Sequence, residues 1–172
     1  MSFKIVKLEP NFISLSTHKK TINMKNLLFL AVGLFFSLSA SSQILKPVKW
    51  AYSAKKISKT EAIVAMRATI DEGWHLYSQY MADGGPIKTS FTFAPAKTYS
   101  LNGKTTEPKP VTKFEKTFDM NVSYFEKTVT FTQKIKLTGA ANPVVKGSVE
   151  YMVCDDSQCL PPETVDFSIA VK

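Results

Sequence analysis

Two cysteines, Cys154 and Cys159, are the residues of this 172-residue chain whose type and spacing point most directly to chemistry. Four residues separate them, and in an exported chain such a pair predicts a small loop closed by a disulfide. A ring of that size adds only about 2 kcal/mol to stability in the chain-entropy model, against about 5 kcal/mol for a ring of roughly a hundred residues. The placement therefore favours a pair kept for redox chemistry over one kept for strength.

The residues inside the loop bear on how these thiols would react. Exchange proceeds by attack of a thiolate on a disulfide sulfur, and a thiol is usually activated by a helix N-terminus, a neighbouring cation or a Cys-X-X-Cys motif. None of these is evident in the sequence; instead, Asp155 and Asp156 lie between the cysteines. Their negative charge predicts thiol pKa values above the ordinary value, which suits a selective donor that reacts inside a matched complex.

The N-terminal region predicts export. An apolar run at residues 27–38 follows Lys25 and precedes a stretch of small polar residues, which is the layout of a secretory signal peptide over residues 24–42. The run is shorter than the roughly twenty apolar residues that span a bilayer, so a membrane-anchored N-terminus is the weaker alternative. We interpret residues 1–23 as an extension of the gene model and residues 43–172 as the mature domain, located in the periplasm without stable membrane insertion.

The charge of the predicted mature domain differs from that of the whole chain. Residues 1–42 contain five lysines and one glutamate, so residues 43–172 hold 17 of the 22 basic and 13 of the 14 acidic side chains. The remaining lysines are spread among acids and β-branched residues, without a block of like charge. This pattern does not indicate a nucleic-acid partner, and the length indicates one domain.

Period-two alternation of apolar and polar residues runs through most of the predicted domain and is typical of half-buried antiparallel strands. The segments that show it are residues 61–70, 87–93, 125–137, 149–153 and 165–171. Turn residues fall between them, at residues 83–86, 102–103 and 139–143. Seven to nine short strands at this spacing predict an all-β fold, an immunoglobulin-like antiparallel β-sandwich.

This architecture positions the cysteines. We expect residues 147–154 to form one strand and residues 163–171 the next, so that Cys154 ends the first strand and Cys159 begins the return. The two residues would then flank a loop at the tip of the sandwich, where facing Cβ atoms come within disulfide distance. An exposed loop tip is where an exchange reaction needs its disulfide.

The segment from residue 151 to residue 164, with its Cys-loop-Cys followed by LPPET at residues 160–164, resembles the N-terminal periplasmic domain of the thiol:disulfide interchange protein DsbD. Stand-alone relatives are called disulfide bond corrector proteins. Residues 73–77 (GWHLY) are similar to the family's aromatic strand, and residues 118–135 to its cap loop and the strand that follows.

The resemblance implies an immunoglobulin-like domain that relays reducing equivalents, without a cofactor or metal. A thioredoxin-like domain or DsbD-type membrane reductase would supply electrons, and oxidised periplasmic thiol proteins, with cytochrome c-type biogenesis among their roles, would receive them. Cys159 would attack the partner and Cys154 would resolve the mixed disulfide, which is the chemistry of a protein-disulfide reductase. Phe118 would be the cap-loop aromatic that shields the sulfurs, and Tyr77 and Trp74 would line the same pocket.

The sequence departs from the family in three respects. Four residues rather than five separate the cysteines, and Thr117, Asp119 and Met120 differ from the family's acidic-aromatic run around the cap. The sequence also shows neither a polytopic membrane domain nor a thioredoxin-like domain, so we expect the neighbours in a relay to be separate proteins.

Other interpretations of the same residues stay open. The cysteines could form an inert loop disulfide in a secreted binding or structural sandwich, and Phe118, Trp74 and Tyr77 could be ordinary core aromatics. Soft-metal chemistry is a third possibility, in which four sulfur-bearing residues bind copper(I); they are Met120, Met152, Cys154 and Cys159. His75 is the only histidine after residue 42, and we interpret it as a residue on a strand surface.

Overall fold

The structure is a computed structural model that describes residues 45–139 and 143–172. The predicted gene-model extension and signal peptide, at residues 1–23 and 24–42, lie outside the described residues. Within the described residues, no helix has the length and apolar character needed to cross a membrane. All regular secondary structure in these two ranges is β-strand.

Eleven strands occur in the described residues and form three antiparallel sheets. Their bounds are β1 Val48–Lys56, β2 Glu61–Ile70, β3 His75–Tyr77, β4 Ser90–Phe93, β5 Tyr99–Leu101, β6 Val111–Glu115, β7 Met120–Phe125, β8 Thr128–Leu137, β9 Val144–Tyr151, β10 Val153–Cys154 and β11 Glu163–Ala170. The strand orders are β1-β2-β8-β5 in sheet 1, β10-β3-β7-β6 in sheet 2 and β11-β9-β4 in sheet 3.

The main core lies where the apolar faces of the three sheets meet. In sheet 1, β2 and β8 pair in a register that sets Met66 opposite Phe131, and both side chains are fully buried. Sheet 2 contributes Leu76 to the same core and sheet 3 contributes Val149. The alternation predicted for residues 61–70 is confirmed, since every second residue of β2 from Ala62 onward is buried.

One run that the sequence predicts as a single strand is divided in the structure. The alternation over residues 125–137 is real, but β7 ends at Phe125 and β8 begins at Thr128. Lys127 between them has a positive φ of 60°, a conformation that ends a strand because L-residues adopt it only locally. The break matters for the site, since β7 joins sheet 2 whereas β8 belongs to sheet 1.

A second predicted strand, residues 147–154, is also interrupted. β9 ends at Tyr151, and after Met152 the chain continues as the two-residue strand β10. β9 pairs with β11 and β4, whereas β10 pairs with β3 of sheet 2. Cys154 therefore belongs to a different sheet from the strand that leads to it.

The predicted strand at residues 87–93 is shorter than its alternation indicates. Regular pairing with β9 covers only Ser90–Phe93, and Ile87 is exposed. Thr89, just before the strand, is buried and donates its hydroxyl hydrogen to the carbonyl of Tyr77 at 2.5 Å. This bond ties the entrance of β4 to the end of β3 on sheet 2.

Candidate functional site

A tight hairpin carries the two cysteines, which are joined by a disulfide. Cys154 and Cys159 form an isolated antiparallel bridge with Cα atoms 4.0 Å apart. On one side of this bridge the Leu160 amide donates to the Val153 carbonyl at 2.9 Å, and on the other the Asp155 amide donates to the Gln158 carbonyl at 2.9 Å. The expectation of a disulfide-bearing loop is confirmed, and β10 supplies its first arm.

The carboxylate of Asp155 organises the turn between the cysteines. One of its oxygens, Oδ1, accepts hydrogen bonds from the Ser157 amide at 2.8 Å, the Ser157 hydroxyl at 2.8 Å and the Gln158 amide at 2.7 Å. This is the Asx-type turn that Asp forms with backbone groups two or three residues ahead. The bonds to Ser157 are the main cause that lowers the pKa of Asp155 below its ordinary value. Asp156 is exposed.

The register between β10 and β3 decides which way Cys154 faces. Val153 lies opposite Leu76, and both belong to the main core. Because successive side chains of a strand point to opposite faces, Cys154 and its partner His75 face away from that core. Tyr77 shares this second face and, together with Cys154, forms part of a small cluster separate from the main core.

The second face of sheet 2 forms a cavity of about 420 Å³ beside the disulfide. Val122 and Tyr124 of β7 contribute to its buried floor with Tyr77 and Cys154. The remaining lining comes from His75, from the end of β6 and its following loop, and from the cysteine hairpin itself.

Phe118 packs over this face from the loop that joins β6 to β7. The loop spans residues 116–119, closed by the pair Glu115 and Met120 and by a 3.2 Å bond from the Phe118 amide to the Glu115 carbonyl. Asp119 completes the reversal with a positive φ of 52°. Phe118 is half-buried against the cluster that contains Cys154, which is the location that its predicted cap role requires.

The two sulfurs differ in their environment. Cys154 is 4% exposed and packs in the small apolar cluster, whereas Cys159 is exposed on the far arm of the hairpin. A nucleophile from a second protein would therefore meet Cys159 first. Chemically, the arrangement offers one accessible sulfur joined to one protected sulfur.

The structure separates the two aromatic residues expected in the pocket. Tyr77 is in the cavity, where burial, with smaller contributions from Glu115 and Tyr124, raises its pKa to about 12. Its hydroxyl therefore stays protonated at neutral pH. Trp74, in contrast, packs in the main core and is absent from the cavity lining, because it precedes β3 and its side chain lies on the other side of sheet 2.

His75 lines the cavity beside the disulfide, whereas the sequence predicts it only as a residue on a strand surface. Its side chain is 20% exposed, its Nε2 lies 3.0 Å from Glu126 Oε1, and its ring makes an edge-to-face contact with Tyr124 at 4.4 Å between centroids. The Gly-Trp-His-Leu-Tyr run gave a local signal for an aromatic strand. The pairing of His75 with Cys154 depends on strands almost eighty residues apart and has no such signal.

The sulfur-bearing residues of the copper alternative lie near one another, but the two cysteines are joined to each other. Met120 and Met152 pack against the small cluster that contains Cys154, together with Met81, and Cys159 is bonded to Cys154 in the disulfide. Within residues 45–139 and 143–172, no group of three or more His, Cys, Asp and Glu side chains is arranged to hold a metal ion.

Comparison with known proteins gives one family. Residues 41–170 match the family model described as the N-terminal domain of the thiol:disulfide interchange protein DsbD. No curated protein matches the sequence.

Solved structures with a similar fold include DsbD N-terminal domains and the N-terminal domain of ScsB. The reduced DsbD N-terminal domain of Neisseria meningitidis has a TM-score of 0.52 and 18% identity, over 77% of this chain and 94% of that one. The N-terminal periplasmic domain of ScsB from Proteus mirabilis has a TM-score of 0.53 and 15% identity, over 76% and 48%. The DsbD N-terminal domain in complex with the PilB N-terminal domain, from Neisseria meningitidis, has a TM-score of 0.50 and 16% identity, over 74% of this chain and 88% of that one. The predicted immunoglobulin-like β-sandwich is confirmed.

Replacement of Asp155 by Ala tests how the hairpin is held. We expect the Ser157 and Gln158 amides to lose their protection from hydrogen exchange, because their acceptor is removed. Asp156→Ala, which changes the neighbouring exposed carboxylate, is the matched control and should leave both amides protected. The pKa of Asp155 is lowered in the fold. Its charge therefore contributes to folding stability above the pKa that Asp155 has in the unfolded chain, and this contribution is lost as the pH falls through the pKa in the folded state. Equal exchange in both variants would contradict the assignment.

Proposed function

This chain belongs to the family of N-terminal domains of the thiol:disulfide interchange protein DsbD, and on that premise we propose that it is a thiol–disulfide exchange domain that relays reducing equivalents through Cys154 and Cys159. Cys159 is the sulfur that forms the mixed disulfide with a partner, and Cys154 is the resolving sulfur. The observation that carries the proposal is the pairing of an exposed Cys159 with a buried Cys154 at one hairpin tip.

The exchange follows from that asymmetry. When the reduced domain meets an oxidised client, the Cys159 thiolate attacks a sulfur of the client disulfide, which breaks and leaves one client sulfur as a thiolate. The Cys154 thiolate then attacks Cys159 Sγ, so that the Cys154–Cys159 bond forms and the second client sulfur departs. The client gains two electrons and the domain becomes oxidised. A reduced donor reverses the sequence by attacking Cys159.

The way in which the hairpin is held supports a redox use over a structural one. Backbone bonds on both sides of the cysteines and three bonds to Asp155 already fix the turn. A disulfide across so short a segment adds about 2 kcal/mol in the chain-entropy model. The alternative, an inert disulfide in a binding module, does not account for the difference in burial between the two sulfurs.

Phe118 is proposed to be the shield of the buried sulfur. In the reduced domain its ring would limit access of small oxidants to Cys154, while Cys159 stays open to a docked protein. Phe118 and the cysteine hairpin line the same cavity, so a partner docked at the hairpin would contact the loop of Phe118.

The proposed partners are thioredoxin-like. A thioredoxin-like domain or a DsbD-type membrane reductase would reduce Cys154–Cys159, and oxidised periplasmic thiol proteins would reoxidise it. The DsbD N-terminal domain of Neisseria meningitidis, which shares this fold, has been solved in complex with a PilB N-terminal domain, which supports a protein partner. The exported, periplasmic location is part of the same proposal.

Single-cysteine variants test which sulfur captures a partner. The probe is a thioredoxin that retains only the first cysteine of its motif, activated as a mixed disulfide with thionitrobenzoate. Reduced Cys154→Ser should displace thionitrobenzoate and accumulate a covalent complex on a non-reducing gel, because Cys159 is accessible and no resolving thiol remains. Cys159→Ser should form little complex, since its remaining thiol is buried. Capture through Cys154, or equal capture by both variants, would contradict the assignment.

Alkylation of Cys154 tests the shield. In the Cys159→Ser background, Phe118→Ala should raise the rate at which iodoacetamide modifies Cys154 several-fold, because the thiol gains solvent access and its thiolate is less disfavoured. Phe114→Ala is the matched control, since Phe114 is an exposed aromatic residue on the same β6 arm and lies outside the small cluster. Circular dichroism checks that each variant is folded. An unchanged rate in Phe118→Ala would rule out the shielding role.

A further inference from the structure

His75 is the direct cross-strand neighbour of Cys154. The register of β10 with β3 sets the two residues opposite each other, and directly opposed residues of an antiparallel pair have Cβ atoms about 4.5–5.5 Å apart on one face of the sheet. Both residues line the cavity beside the disulfide. The imidazole and the Cys154 sulfur therefore face the same cavity from neighbouring strands.

Glu126 fixes the protonation pattern of that imidazole. An ionised carboxylate only accepts hydrogen bonds, so Nε2, at 3.0 Å from Glu126 Oε1, carries the hydrogen. In the neutral ring this leaves Nδ1 with a lone pair that can accept a proton. The edge-to-face contact with Tyr124 holds the ring in place.

Cys154 must gain and lose a proton in a buried environment, whereas Cys159 is exposed to solvent. Burial in an apolar cluster disfavours a thiolate, and Cys154 is 4% exposed. As a resolving residue it must nevertheless become a thiolate in each cycle, and it must be protonated again when a donor reduces the disulfide. Its small exposure, in the cluster against which Phe118 packs, limits direct proton exchange with bulk water.

We propose that His75, oriented by Glu126, is the proton acceptor and proton donor for Cys154. The proposal rests on the proposed exchange function and assigns a residue outside the cysteine pair to it. In resolution, the Cys154 thiol gives its proton to Nδ1, the thiolate attacks Cys159 Sγ, and the partner leaves with the electron pair of the broken bond. In reduction, Cys154 leaves as a thiolate and takes the proton back from the imidazolium.

Other titratable or charged groups around His75 fit this role less well. They are Tyr77 on the same strand, Tyr124 and Glu126 on the β7 side, Lys113 and Glu115 on β6, and Asp155 and Asp156 in the hairpin. The buried hydroxyl of Tyr77 stays protonated because its pKa is raised to about 12, and Asp155 Oδ1 already accepts three hydrogen bonds. Imidazole is the group that exchanges protons most readily between about pH 5 and pH 8.

Stopped-flow reaction of the reduced domain with dithionitrobenzoate separates the two chemical steps. Cys159 releases the first thionitrobenzoate in a phase whose rate rises with reagent concentration. Cys154 then displaces the second from Cys159 in a phase that is independent of reagent concentration. A second phase that depends on the reagent would mean that the thiols react separately, which would contradict the proposed function itself. The role of His75 is judged only on the rate and pH profile of that second phase.

For His75→Ala, whose folding is checked by circular dichroism, we expect the first phase to be unchanged and the second phase to slow about a hundredfold at neutral pH, within the range of general acid–base catalysis. Free imidazole should restore part of the lost rate. The wild-type second phase should show an inflection toward slower rates at acidic pH, because a protonated imidazole cannot accept the thiol proton, and His75→Ala should lack this inflection. Glu126→Gln, which keeps the hydrogen-bonding shape without the charge, should slow the second phase less.

An unchanged second phase in His75→Ala, with the wild-type pH profile, would overturn the proposal while leaving the exchange function intact. Slowing without rescue by imidazole and without loss of the inflection would assign His75 a packing role and would also overturn it. Lys146→Ala, an exposed change on β9 away from the cavity, controls for nonspecific effects of substitution.

Discussion

The pairing of the short strand β10 with β3 is the constraint on which the site depends. Two residues of pairing, Val153 with Leu76 and Cys154 with His75, fix the cysteine hairpin to sheet 2. Val153 anchors the strand in the main core, and the alternation of the strand then directs Cys154 to the opposite face. A shift of one residue in this register would turn the Cys154 side chain into the main core, away from the cavity that His75 and Phe118 line.

The same constraint produces the unequal environments of the two cysteines. Cys154 is held by sheet 2 in the small cluster against which Phe118 packs, whereas Cys159 lies on the return arm and is paired through the bridge to Cys154. Under the proposed function, the exposed sulfur is available to a second protein and the buried sulfur carries out the intramolecular step. In the proposed account, His75 supplies the proton transfer that burial of Cys154 would otherwise hinder.

Much of this fold could be predicted from the sequence because alternation is a local property. The buried face of β2 and the disulfide-bearing loop are confirmed. The sequence does not reveal the strand breaks at Lys127 and Met152, because the apolar residues on the two sides of each break are in phase and only the partner sheet changes. His75 could not be assigned to the cavity for a similar reason: its neighbour is set by tertiary register. Trp74 was expected beside Tyr77, but it packs in the main core.

The reduction potential of Cys154–Cys159 distinguishes an exchange disulfide from an inert cross-link. It is measured by equilibrating residues 43–172 in glutathione or dithiothreitol buffers and counting the reduced fraction. Exchange proteins have potentials of about −120 to −270 mV, whereas structural disulfides of secreted proteins lie below about −300 mV. For Cys154–Cys159 we expect a potential between about −120 and −270 mV. A value well below −300 mV, as for structural disulfides, would identify the pair as an inert cross-link and contradict the exchange function.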